Sequence, residues 1–251
     1  MDIAKTINDI WKEETIKEVL PEILERKWCF CCDVLKSNTK ILLIGFNPSY
    51  KDCIKEMRPV KPFSFEAIMN SSRNHYVLPE KKWDPYWTPI SDMLCNDEVD
   101  LRNITSYWDI FSFRERDQRK FNKSKNPSNF VIEHIRLAQR IIEIVKPELI
   151  IVKNKEAWAY FGYYFGLDGR GKNVRWMNYR YENLGKITCG SAQYELRKII
   201  GLHDGYDLHA IEGHESSLIN TKILFMPHIN QYMKKENRPT PQCLKGILDI
   251  F

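Results

Sequence analysis

Two segments nearly a chain-length apart, Lys40-Ile-Leu-Leu-Ile-Gly-Phe-Asn-Pro-Ser-Tyr50 and Lys222-Ile-Leu-Phe-Met-Pro-His-Ile-Asn-Gln231, share one build: a basic residue, a run suited to a buried strand, then an abrupt polar turn. Apolar runs without alternation are what strands covered on both faces of a parallel sheet require. In an open α/β sheet ligands bind just beyond the carboxyl ends of the parallel strands. The two turns are therefore expected to converge on one pocket, with Asn47 and His228 facing each other across it.

The rest of the chain supplies the elements such a sheet needs. Ile3 to Lys27 has apolar residues at helical spacing, broken at Pro21, and reads as two helices. Strand-like runs begin near residues 41, 106, 148 and 223. Asn129 to Val145 has the periodic apolar face of a helix that Pro147 terminates; further helices are expected near Ile90 to Leu94, Ala157 to Phe165 and Pro241 to Phe251. This alternation predicts an α/β fold with right-handed crossovers: a three-layer α/β/α sandwich around a central four-stranded parallel sheet. The 251 residues, 43% of them hydrophobic, suffice for one domain spanning 1–251. The pattern fails from about 166 to 220, where short β-like runs (Lys186 to Thr188, Tyr194 to Ile200) sit among Gly, Asp and His, and this stretch is read as an insertion.

Composition excludes several classes. No apolar run reaches the roughly 18 to 20 residues of a membrane helix, and the first residues lack a signal-peptide core, so a cytoplasmic monomer is the expectation. The seven cysteines are then expected as reduced thiols. His203 to Glu215 is dense in metal-capable side chains but has no spacing with a known ligand geometry, so no metal is assigned. The net charge of +5 does not by itself mark a nucleic-acid partner. Local clustering says more: Arg114 to Lys125 holds six basic and two acidic residues, and Arg170, Lys172, Arg175 and Arg180 interleave with Trp176, Tyr179 and Tyr181. Such mixing suits a phosphate backbone with nearby bases, and two solvated loops would look the same.

Gly45-Phe-Asn-Pro-Ser49 resembles the strand-end motif of the uracil-DNA glycosylase superfamily, particularly its mismatch-specific branch, where an Asn replaces the carboxylate of other branches. Pro227-His228-Ile229-Asn230 resembles a departed form of that superfamily's His-Pro-Ser motif, and Lys146-Pro-Glu-Leu-Ile-Ile-Val-Lys153 is similar to the strand that follows a long helix in the same fold. The resemblance covers about 190 residues. It implies recognition of a base in DNA, with excision by hydrolysis of the N-glycosidic bond as the chemistry of a DNA-repair hydrolase. The alternative is a non-catalytic nucleic-acid or nucleotide-binding protein on the same fold, since Ile229-Asn230 stands where the family has Pro-Ser. Some branches carry an iron–sulfur cluster. Cys29-Phe-Cys-Cys32 contains one C-x-x-C, but Phe130 to Val145 contains no Cys, so no cofactor is expected.

Base excision builds positive charge on the sugar and negative charge on the departing base, so the site needs a water-positioning group and a donor aimed at the base. The resemblance gives Asn47 the first role and His228 the second. An amide orients water without taking its proton, which implies slow turnover. Gly45 permits close backbone approach, and Phe46, Pro48 and Ser49 complete the turn; an ordinary turn or helix cap is the alternative for these residue types. Tyr50, Phe63 or Trp87 is the candidate to stack on the base. Asp109, at the end of the second strand, either reads a base edge bearing two donors or pairs with Arg114 or Arg116. Asn230 is a candidate for phosphate through its amide. The family places a duplex-wedging loop after the His motif, so Tyr232 or Met233 would fill the gap left by a flipped base. Lys234, Lys235 and Arg238 would contact phosphates, with Arg114, Arg116, Arg119 and Lys120 on the first basic loop.

Overall fold

The structure, a computed structural model, describes residues 37–47, 83–111, 113, 115, 128–167, 172–204, 210–211 and 215–250. The amino-terminal helices expected before residue 27, residues 48–82 and most of the first basic cluster lie outside these residues.

The central sheet has six strands rather than four, in the spatial order β2 (Thr105–Asp109), β1 (Ile41–Gly45), β3 (Leu149–Val152), β8 (Lys222–Phe225), β7 (Ala192–Leu202), β6 (Tyr179–Cys189). Four of them form the predicted parallel block: β1 (Ile41–Gly45), β2 (Thr105–Asp109), β3 (Leu149–Val152) and, last in the chain, β8 (Lys222–Phe225). The two additional strands come from the segment read as an insertion. There β6 (Tyr179–Cys189) and β7 (Ala192–Leu202) make a long antiparallel hairpin, and β7 pairs antiparallel with β8, so the segment extends the sheet. Between β3 and this hairpin lie a single helical turn, α3 (Lys155–Trp158), and a minimal ribbon of β4 (Gly166–Leu167) and β5 (Asn173–Val174).

Burial explains the core strands. Ile41, Leu42, Leu43 and Ile44 of β1 and all four residues of β3 have no solvent exposure, as expected for strands covered on both faces. Helix α2 (Ser128–Val145) turns Phe130, Ile135, Ala138 and Ile142 into the same core. Lys146 then takes a left-handed backbone (φ 49) before Pro147, which has no amide hydrogen to continue the helix.

Two caps fix elements that border the site. Asp84 Oδ1 accepts from the backbone N–H groups of Tyr86 (2.8 Å) and Trp87 (2.7 Å), starting helix α1 (Trp87–Leu94) and setting the direction of both aromatic side chains. Thr240 Oγ1 accepts from Cys243 N (3.2 Å) ahead of Pro241, the first residue of helix α4 (Pro241–Leu248). The expectation of reduced thiols is corrected at one pair. Cys189, buried at the end of β6, is disulfide-bonded to Cys243 of α4, the two Cα atoms standing 6.1 Å apart. Among the described residues no helix is long and apolar enough to cross a membrane.

Asp84 replaces two unsatisfied amide hydrogens' water partners with one carboxylate. Asp84→Ala is expected to lower stability by about 1–2 kcal/mol, the usual penalty for a lost cap, as measured by urea denaturation.

Candidate functional site at the strand ends

The parallel register sets Ile44 level with Trp108 on one side and Val152 on the other, and Val152 level with Phe225. Gly45, Asp109, Lys153 and the Met226-Pro-His228 turn therefore leave the sheet at the same end, and Asn47 and His228 follow two strands that share this direction.

Lys153, the first residue beyond β3, is 1% exposed. Its ammonium donates to the Tyr86 hydroxyl and to the Tyr107 hydroxyl (3.1 Å), and lies 4.6 and 4.5 Å from the centroids of the same two rings. Tyr107 in turn donates to Asp109 Oδ1 (2.7 Å). Because the single Tyr107 hydroxyl proton is spent there, the 2.7 Å contact between the two phenols has Tyr86 as its donor. The result is a directed chain from a buried cation through Tyr86 and Tyr107 to a buried carboxylate. Burial first, then the Asp109 charge, push the Tyr107 phenol well above its ordinary value, so it stays a donor. Gly45 makes room for this chain: a Cβ there would lie 2.0 Å from Asp109 Oδ1 and 2.2 Å from the Tyr107 hydroxyl.

Several sequence-predicted residues meet at this cluster. Trp87 packs edge-on to Tyr86 (4.7 Å between centroids) and Tyr107 (5.2 Å). His228 lies against Tyr86 at 5.6 Å and 30° with the rest of its side chain exposed to solvent. Packing around its ring, and secondarily the Lys153 charge, lower its pKa to about 4, so at neutral pH it is an uncharged imidazole able to donate one hydrogen bond. Asn47 is half-buried, and its amide nitrogen donates to the Glu115 carbonyl (3.1 Å), tying the β1 turn to the chain beyond β2.

The other expected residues are placed as follows. Phe46, expected to line substrate, is a core ring 5.1 Å from Phe111 and 5.9 Å from Tyr160. Asp109 is 4% exposed and accepts from the Tyr107 hydroxyl, while Arg114 and Arg116, its alternative partners, lie outside the described residues. Arg238, expected on phosphate, donates to the carbonyls of Met233 (2.7 Å from Nη2) and Asn230 (3.3 Å) and faces Asp92 at 3.6 Å. Asn230 uses its amide oxygen on the N–H groups of Tyr232 (2.9 Å) and Met233 (3.2 Å), and Met233 is half-buried against the core. These bonds, with Gln231 N donating to the Pro85 carbonyl (2.9 Å), hold the 230–238 loop in one shape. From it Tyr232 projects with 83% of its surface exposed, beside exposed Lys234 and Lys235. Pro48, Ser49, Tyr50, Phe63, Arg114, Arg116, Arg119 and Lys120 lie outside the described residues.

The residues that sequence reasoning missed are Lys153, Tyr107 and Tyr86. One signal was present: Tyr107 and Asp109 stand two apart in a strand and so share a face, directly opposite the Gly45 end of β1.

Gly45→Ala is expected to destabilise the fold by about 3 kcal/mol or more, because the added methyl must displace a buried carboxylate and phenol; thermal and urea denaturation would measure it. A second expectation concerns pH. His134, fully buried on α2 with Nδ1 2.9 Å from the Phe130 carbonyl, is lowered to about 4 by burial, like His228. The unfolded chain protonates both near the ordinary 6.5, so between about 6.5 and about 4 it binds more protons than the native state. Stability should fall as pH drops through that window, with a shallower slope in His228→Asn, as read from urea midpoints across the range.

No family model matches this sequence, and no curated protein matches it either.

Proposed function

We propose that the protein binds DNA and recognises a base at the carboxyl ends of the parallel strands, within a three-layer α/β/α arrangement, and that the bond it hydrolyses is the N-glycosidic bond of that base. The observation that carries this reading is the clamped 230–238 loop, which presents an 83%-exposed tyrosine four residues after the neutral His228. A large aromatic held out on a loop already fixed by Arg238 and Asn230 is suited to enter a base stack, because little further ordering is needed on binding. Lys234, 3.9 Å from Glu236, and Lys235 follow it in the same exposed stretch and are suited to phosphate contact.

The chemistry follows from the protonation states. As the bond to the base lengthens, negative charge accumulates on the base, and a neutral imidazole N–H stabilises it without first losing a proton of its own. The buried Lys153 ammonium adds a fixed positive potential behind Tyr86. Asn47, whose amide nitrogen is anchored on the Glu115 carbonyl, is proposed to orient water, and an amide removes no proton from it. Turnover is therefore slow. The anchoring of Asn47 also favours a second reading, a protein that binds the base and does not cleave.

The test uses duplex oligonucleotides bearing uracil, hypoxanthine, xanthine or mismatched thymine, with alkali-revealed strand cleavage and parallel binding measurements. Slow release from at least one substrate is expected, reduced about 100-fold in His228→Ala by loss of a charge-stabilising donor. Tyr232→Ala should weaken duplex binding, and Lys234→Gln and Lys235→Gln should each lower the salt slope by about one. Binding without release from any substrate would favour the non-catalytic reading, and absence of duplex binding would end both.

A further inference from the structure

A cavity of about 560 Å³ opens at the carboxyl ends of β3 and β8, between α3, the tip of the β6–β7 hairpin and the 230–238 loop. It shares Met233 and Asn237 with the loop that presents Tyr232, and Pro227 with the turn that carries His228. It is a separate space from the buried Lys153 cluster, none of whose members line it.

Its lining has two parts. One wall is aromatic: Tyr163 stands 5.0 Å from Trp158 and 4.6 Å from Phe225, centroid to centroid. The indole of Trp158 is fixed by donating to the carbonyls of Val152 and Met226 (3.2 Å each), so this wall is rigid before any ligand arrives. The rim is cationic. Lys155 and Lys186 are both exposed, and neither forms an ion pair with another described residue. The one carboxylate among the described lining residues, Glu195, is already engaged: it accepts from Tyr163 (2.5 Å) and from Arg197 Nε (2.6 Å), whose guanidinium lies 4.2 Å over the Tyr163 ring. Burial opposes the charge on Glu195, but the bonds from Tyr163 and Arg197, with the charges of Arg197 and Lys186, hold its pKa below the ordinary value; Lys186 stands opposite it on β6 and remains exposed at the rim.

We propose that this cavity binds a nucleotide: a flat heteroaromatic base against the Trp158–Tyr163–Phe225 wall, with its phosphate between Lys155 and Lys186. The volume falls in the range of small-molecule sites, and stacking on a fixed aromatic wall tolerates any base. A free nucleotide and a nucleotide in a single-stranded stretch of DNA offer the same chemistry. Its position beside the Tyr232 loop assigns the second source, in which the cavity holds a nucleotide unpaired next to the recognised base; this assignment rests on the DNA-binding reading above.

The test has two arms. In the first, calorimetry measures binding of deoxynucleoside monophosphates and of the matching nucleosides to wild type, Lys155→Gln, Lys186→Gln and the double variant; both lysines are exposed, so folding is retained. Saturable binding is expected for the monophosphates, about tenfold weaker for nucleosides and for each single variant, the order set by one charge-assisted contact. No saturable binding, or equal binding by the double variant, overturns the proposal. In the second arm, anisotropy compares a blunt duplex with one bearing a short single-stranded extension. The extension should tighten wild-type binding about tenfold and add nothing in the double variant, while blunt-duplex affinity stays the same in both. Monophosphate binding without gain from the extension overturns the DNA source and assigns the cavity to free nucleotides. Monophosphate binding with no affinity for any duplex leaves the cavity standing and removes the DNA-binding reading instead.

Discussion

An ammonium group almost out of reach of water has to be answered by its surroundings, and at Lys153 that requirement organises the carboxyl end of the sheet. Burying such a charge carries an effective penalty of several kcal/mol, and removing one partner from a buried pair typically costs about 3–5 kcal/mol. Here the answer is a relay of two phenols ending on Asp109, which places opposite charges on two neighbours of β1 with β1 between them. The relay exists only if three conditions hold together. Gly45 must leave the space, Asp84 must start α1 so that Tyr86 turns inward, and β2 must register so that Asp109 lies level with Gly45. Local sequence, helix capping and strand register are thus coupled through one electrostatic demand, and His228 inherits its uncharged state partly from the same cation.

The surface features obey a different logic. The 230–238 loop is held mainly by backbone carbonyls and side-chain amides, with Arg238 spent on the carbonyls of Asn230 and Met233. An arginine used this way gives the loop rigidity, while the neighbouring lysines remain in solvent. The aromatic that the loop carries is consequently presented by a frame whose ordering entropy has already been lost in folding.

The parallel block was legible in the sequence because its physics is one-dimensional. Ile41 to Ile44 and Leu149 to Val152 are apolar without alternation, as burial on both faces demands, and α2 carries its helical period up to the proline that ends it. The hairpin was not legible. β6 runs Tyr-Arg-Tyr-Glu-Asn-Leu-Gly-Lys-Ile-Thr-Cys, mostly polar at the sheet edge, with register shifts at Arg180/Tyr181 and across Gly185 that break any period of two. Only pairing with β7, itself held by β8, makes a strand of it. Lys153 was missed for a related reason: a lysine just past a strand ordinarily reaches water, and nothing local reveals that two tyrosines from other elements will cover it. The pairing of Cys189 with Cys243 across 54 positions is likewise decided by tertiary contact. Of the candidate site, the polar turns of β1 and β8 were readable from their chain positions, whereas the division of labour among Asp109, Asn230 and Arg238 depended on partners that sequence does not display.

Gly190, at the turn of the β6–β7 hairpin, has a left-handed backbone (φ 63), and a Cβ there would stand 2.0 Å from the Glu236 carbonyl oxygen. Ser191 and Tyr194 bond to the same short stretch, Glu236 and Asn237. The outermost hairpin of the sheet is therefore a template on which the Tyr232 loop is cast. In evolutionary terms the two segments are one heritable unit: a lineage that lengthens, twists or trims the hairpin must refit the loop in the same step, so divergence in one should be matched, position for position, by divergence in the other.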